Sequence, residues 1–149
     1  MQRDCRNIYQ TARKIAGVTQ ERAAEMLGLS VRSLADYECG VRVPPNEVVD
    51  QMVTCYCCHQ LAVWHIRATV ESARSILPEV AQLRLPEAVL CLVDTIYDFA
   101  DDKLDRQLID MARDGVIDET ERPQFRRIVG KLNNIVAAAV AISCQSAER

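Results

Sequence analysis

Val18-Thr19-Gln20-Glu21-Arg22-Ala23-Ala24-Glu25-Met26-Leu27-Gly28-Leu29-Ser30 holds two helix starts and one helix stop in quick succession. Thr19 is a good N-cap for a helix beginning at Gln20 and running to about Leu27, and Ser30 is a good N-cap for the next. Gly28 suits the left-handed position that follows a helix end. Only Leu29 is left between them, so the two helices must cross steeply. A steep crossing needs a small residue where the backbones meet, and Ala24 supplies it. Outward from this core, Leu34 and Tyr37 give the third helix, Val31 to Cys39, its apolar contacts, and Gly40 ends it. Pro44-Pro45 then lead to a fourth helix with Asn46 as its cap. On the N-terminal side, Ile8, Ala12 and Ile15 recur at helical spacing and predict a first helix that stops at Gly17. The first 60 or so residues therefore read as four short helices, and no segment reads as a strand.

From Glu47 to Leu77 there is neither glycine nor proline, yet the cluster Thr54-Cys55-Tyr56-Cys57-Cys58 predicts a break. The stretch Leu77 to Leu85, with Pro78, is the expected connector, dividing the chain into residues 1–77 and 78–149. Pro86 fits the first position of a long helix to Ala112, with Val89, Val93, Ile96, Ala100, Leu104, Leu108 and Met111 on one face. A second long helix is expected from Glu121, capped by Thr120, with Phe125, Ile128, Val129, Leu132, Ile135, Val136, Ala139 and Ile142 facing the first. The fold class is therefore all-α, with a long antiparallel hairpin in the second half. The alanines at 137, 138, 139 and 141 would let another helix come close.

The stretch Val18 to Ser30, together with Leu34-Ala35-Asp36-Tyr37-Glu38-Cys39-Gly40-Val41-Arg42-Val43-Pro44, resembles the Cro/repressor-type (XRE-like) helix-turn-helix family over roughly residues 5–65. The resemblance implies a λ-repressor-like bundle and a sequence-specific transcriptional regulator that binds double-stranded DNA. The family lays its third helix in the major groove, which here would bring Ser30, Val31, Arg32, Ser33 and Asp36 to base edges and phosphates. Arg32 can grip the two acceptors of guanine, Asp36 can only accept and so suits the amino group of cytosine, and Val31 can touch a thymine methyl. Gln20 matches the family's phosphate-contacting glutamine, and Arg42 is a second phosphate candidate. The same resemblance implies that Glu38 pairs with Arg13 as a structural ion pair.

Charge bounds these expectations. The 149 residues carry a net charge of −3. Residues 1–65 hold seven basic and seven acidic side chains, and residues 66–149 hold eleven and fourteen. A surface built throughout for nucleic acid is thereby excluded, and DNA contact must be local. Paired half-sites in the family imply a homodimer, for which the hairpin of residues 86–112 and 121–144 offers the apolar surface. The alternative is a protein-interaction module, an antitoxin or adaptor, that captures a partner through the C-terminal helices and binds DNA weakly or not at all. The neutral first half favours that alternative.

No stretch reads as the roughly 20 uncharged apolar residues of a membrane span, and Met1 to Arg6 lack the apolar run of a signal peptide, so a cytoplasmic location is expected. Seven cysteines, an odd number, then read as free thiols. Cys55, Cys58 and His59 share a helical face but make an incomplete zinc set. Asp110, Asp114, Gly115, Ile117, Asp118 and Glu121 imitate a calcium loop with Ala112 where a ligand belongs. Neither cofactor nor metal is expected. No activated nucleophile, glycine-rich phosphate loop or metal-bound water site is apparent, which argues against an enzyme.

Overall fold

The structure, a computed structural model, describes residues 7–146, whose regular elements are all helices, with no strand among them. They divide after Ile76 into two compact units. The first contains α1 (Ile8–Ile15), α2 (Gln20–Met26), α3 (Val31–Glu38), α4 (Asn46–Tyr56), α5 (Gln60–Thr69) and α6 (Glu71–Ile76). The second contains α7 (Leu85–Asp101), α8 (Leu104–Met111) and α9 (Arg122–Ser146). The connector of residues 77–84 has no helix of its own.

In the first unit, Ala12, Ala23, Leu34, Met52 and Leu61, from five different helices, meet in a core with no exposed area. Burying a Leu34-sized side chain stabilises by about 2–3 kcal/mol, so this shared core holds the short helices, none of which would persist alone. The break expected near Thr54–Cys58 falls at Cys57, whose left-handed φ of 48° ends α4. Asn46 is not the cap of α4; Pro45 is, and Asn46 is the first helical residue. Its side chain is used elsewhere: His65 Nε2 lies 3.1 Å from Asn46 Oδ1, while the Tyr9 hydroxyl lies 2.8 Å from His65 Nδ1. An amide oxygen can only accept, so Nε2 carries the proton and Nδ1 accepts from Tyr9, which fixes a neutral tautomer joining α1, α4 and α5.

In the second unit the sequence expectation needs two corrections. The helix expected over residues 86–112 is broken at Lys103, with φ of 54°, so that α8 turns and brings Leu104 and Met111 onto Ile128 of α9. That apolar cluster, with Phe99, Leu108, Phe125 and Leu132 around it, outweighs the local strain of one left-handed lysine. The cap of α9 is Asp118, not Thr120. Its Oδ1 accepts from the backbone N–H of Thr120 at 2.7 Å and of Glu121 at 2.9 Å, while Glu121 Oε2 accepts from the Asp118 N–H. This reciprocal box uses two carboxylates of the calcium-like stretch, Asp118 and Glu121, and the Thr120 hydroxyl bond holds the Asp118 pKa below the usual value.

Helices α7 and α9 run antiparallel, in a register fixed by Asp98 with Lys131 at 3.7 Å, Asp102 with Arg127 at 3.2 Å, and Gln145 Nε2 donating to the Leu83 carbonyl at 3.0 Å. The face of α7 turned to α9 is not the expected one. Ala88 is fully buried, Leu92, Thr95 and Phe99 are half-buried, and the expected Val89, Val93 and Ile96 are exposed. By length and hydropathy, Arg122–Gln145 would suffice to cross a bilayer, a match that reading the sequence for uncharged stretches did not give. Within the unit the same apolarity packs α9, with Ile128, Ala138 and Ala141 buried.

Burial lowers the pKa of His65 below 6.5, with Asp50 opposing the shift slightly. The unfolded chain therefore binds a proton that the folded one resists. The stabilisation is complete above about pH 6.5 and is lost as pH falls through the lower folded value. Thermal unfolding should show the midpoint falling between about pH 7 and pH 5, and His65→Gln should flatten that part of the profile. Parallel profiles for the two proteins would assign the dependence to another group.

Candidate nucleic-acid interface

Two caps build the interface. Thr19 Oγ1 accepts the Arg22 N–H at 3.2 Å and starts α2, and Ser30 Oγ accepts the Ser33 N–H at 3.0 Å and starts α3. Between them Gly28 adopts φ of 63°, and the Leu29 N–H returns to the Ala24 carbonyl at 2.9 Å. A side chain at Gly28 would meet no neighbour, so the requirement for glycine there is the backbone angle alone. Ala23 and Ala24 are buried where the two helices cross, and Leu27, Leu34 and Tyr37 close the contact.

Beneath α3 lies a buried polar centre. Arg13 Nε donates to Glu38 Oε1 at 2.6 Å and Nη2 to Oε2 at 2.9 Å, a two-pronged pairing, while Nη1 donates to the Val18 carbonyl at 2.8 Å. Gln20 Nε2 adds a third donor to Glu38 Oε2 at 3.0 Å. One carboxylate thus joins α1, the start of α2 and the end of α3, and its charge is matched inside the domain. The hydrogen bonds that Arg13 donates to Glu38 hold its pKa above the ordinary value. Gln20 keeps its second amide hydrogen and its oxygen available, with the side chain half-buried.

On the outer side, Ser30, Val31 and Arg32 are exposed on the first turn of α3, and Ser33 and Asp36 are half-buried beside them. Arg32 makes no ion pair among the described residues. The Ser30 hydroxyl donates to Ser33 Oγ at 2.9 Å, which leaves the Ser33 proton free to turn outward. The Asp36 side chain stays in this face, while its backbone carbonyl receives the N–H groups of Val41 at 2.9 Å and Arg42 at 3.2 Å. Those bonds fold the chain back after Gly40 and set the Arg42 guanidinium 5.5 Å from the centre of the Tyr37 ring.

Sequence reading missed two positioning residues. Tyr37 belongs to the core, yet its ring also seats Arg42. Asn7 caps α1 by accepting the Tyr9 N–H at 3.0 Å, and its Nδ2 donates to the Tyr37 carbonyl at 2.7 Å, tying the start of α1 to the end of α3. An asparagine one position before an apolar periodic run was the available signal. Cys39, Cys57 and Cys91 are exposed thiols, Cys55 is half-buried and Cys58 is buried. Among those residues no three His, Cys, Asp or Glu side chains converge as a metal site.

A protein-family model described as Helix-turn-helix matches residues 10–56. Residues 10–56 are a helix-turn-helix of the XRE family. The match takes in α2, the Gly28 turn, α3 and all of α4. Helix-turn-helix domains of this family are DNA-binding, and the all-α class follows with it. Searches of curated proteins and of solved structures gave no match.

The Arg13–Glu38 pair carries a stability prediction. Glu38→Ala leaves a buried guanidinium without its partner and frees Gln20, and should destabilise the domain by roughly 3–5 kcal/mol. Arg13→Ala should cost a similar amount. Chemical denaturation checks both, and a loss well under about 1 kcal/mol in either would show the pair to be dispensable.

Proposed function

We propose that the chain is a sequence-specific transcriptional regulator of Cro/repressor type, acting in the cytoplasm on double-stranded DNA as a homodimer. The observation that carries this reading is the division of labour among the charges of the helix-turn-helix. Arg13 and Glu38 neutralise one another in the interior, while Arg32 on the exposed first turn of α3 has no partner among the described residues. A free guanidinium on that turn suits the O6 and N7 acceptors of guanine, and Val31 beside it suits a thymine methyl. Ser30, Ser33 and Asp36 complete the reading face, with Asp36 accepting from the amino group of cytosine.

Gln20 and Arg42 take phosphates. Both are held before DNA arrives, Gln20 by Glu38 and Arg42 by the Tyr37 ring, so less side-chain freedom is lost on binding. The near-equal charges of residues 1–65 favour one rival reading, an antitoxin or adaptor that captures a protein partner through its C-terminal helices. Salt separates them: DNA affinity falls steeply with added salt, and partner capture through apolar helices does not.

Arg32 and Arg42 should fail differently. Selection of bound duplexes from a random pool gives the preferred site. On it, Arg32→Ala should cost about 1–3 kcal/mol and flatten preference at one base pair, with nonspecific affinity nearly intact. Arg42→Ala should weaken all sequences alike and reduce the salt slope by about one unit. Uniform loss in both variants would remove Arg32 from base reading, and no change in either would turn the assignment to the interaction module.

A further inference from the structure

Helix α7 carries two apolar stripes, and α9 uses only one of them. The inward stripe is Ala88, Leu92, Thr95 and Phe99. The second, one residue further on, includes Val89, Val93 and Ile96, which stay 41%, 40% and 47% exposed, with Leu85 at 48%. In two antiparallel right-handed helices, the positions one beyond the inward set point to the same side of the pair. On α9 the inward set runs through Ile128, Lys131, Ile135, Ala138 and Ile142, so this side holds Leu132, Val136, Ala139 and Ser143. Leu132 belongs to the α8 cluster, but Val136 is 44% exposed. The stripe positions on this side hold no charged residue. The acids Glu87, Asp94 and Asp98 lie one position before the inward set of α7, and Arg127 takes the corresponding place on α9, so they occupy the other side.

We infer that this side of the hairpin is the joint between two copies of the chain, forming a four-helix arrangement. The inference rests on the homodimer of the proposed function and names its surface. Three observations select a second copy over a foreign partner. The unit is acidic, with twelve acidic and eight basic residues in 77–146, so two copies associate only through a side free of like charge, which this one is. A basic partner would be drawn to Glu87, Asp94 and Asp98, on the other side. The surface is also complementary to itself in size. Helix α7 presents the larger Leu85, Val93 and Ile96, and α9 presents Ala139 and Ser143 around Val136. A two-fold axis lays each α7 over the partner's α9, so that large residues meet small ones twice.

The expected small-residue approach is thereby narrowed: Ala137, Ala138 and Ala141 line a cavity with Glu79, Ala81 and Leu83 of the connector, and only Ala139 lies on the joint. A face about 24 Å long and about 20 Å wide is on the order of 500 Å² per copy. Counted on both copies it reaches the approximately 1,000 Å² at which specific interfaces begin.

Sedimentation of the full chain without DNA tests the joint. The wild type should dimerise in the micromolar range. Val93→Glu combined with Ile96→Glu should weaken self-association by about 100-fold, because four carboxylates would be buried, while far-ultraviolet circular dichroism stays unchanged since both residues are exposed in the protomer. Ala139→Trp, which fills the small-residue side, should also dissociate the dimer, and Asp94→Lys on the far side should leave it intact. A wild type that is monomeric up to about 100 µM overturns both this joint and the homodimer. A dimer that survives both Val93→Glu/Ile96→Glu and Ala139→Trp overturns the joint alone. Should the double variant lose helicity, Ala139→Trp and Asp94→Lys decide between the two sides.

Discussion

The fork of Arg13 on Glu38 is the constraint on which the first unit depends. A buried carboxylate is costly to desolvate, and this one is tolerated because three N–H donors from two elements converge on it. The two donating residues serve different parts of the fold. Arg13 fixes the end of α1 and, through the Val18 carbonyl, the chain entering α2; Gln20 fixes the first turn of α2. The orientation of α3 is thus set by polar geometry as well as by Leu34 and Tyr37 in the core. An apolar core alone allows a short helix to roll, whereas a two-pronged ion pair fixes rotation. Under the proposed function the exposed turn of this helix presents Arg32 in one direction, and there that difference matters.

The same arrangement explains how a domain with equal numbers of acidic and basic residues can carry a helix-turn-helix. Glu38 lies in the reading helix by sequence but not by field, since its charge is matched within the interior. Arg22 with Glu25 is an exposed pair three residues apart, worth little energetically, yet it too leaves no net charge. On and just after α3, what remains toward the outside is Arg32, Arg42 and the half-buried Asp36. Under the proposed function, so few phosphate contacts imply a small affinity for one domain, and the neutral balance implies little nonspecific binding.

Much of this was legible in the residues, and the reason is local chemistry. Gly17, Gly28 and Gly40 all take positive φ after a helix, and Thr19 and Ser30 cap the helices that follow. Such signals act within four residues and survive any tertiary context. The hairpin was legible only in outline. Helix α7 is apolar on two adjacent stripes, and periodicity cannot say which one a neighbour takes, because both repeat at three and four residues. The break at Lys103 has no local signal: the apolar period continues through Leu104, Leu108 and Met111, and the chain turns only because those residues gain more on Ile128 than by extending α7. The cap at Asp118 lay two residues before the threonine expected, within a run of residues all suited to capping.

That ambiguity in α7 has a physical meaning of its own. A helix of a soluble protein that hides one apolar stripe normally leaves polar residues on the next, since exposed valine and isoleucine gain nothing from water. Scattered exposed apolar side chains need no explanation, but Val89, Val93 and Ile96 form a row and Val136 lies on the same side of the hairpin. The acids of α7 are confined to the opposite side, where Asp98 and Asp102 are matched by Lys131 and Arg127. Under the proposed function this asymmetry offsets the weakness of the helix-turn-helix. Joining two modest DNA-binding domains makes the second contact intramolecular, so overall affinity rises without any further positive charge. A neutral reading domain and an uncharged joint are then two parts of one solution, in which specificity comes from the paired site and not from attraction to phosphate.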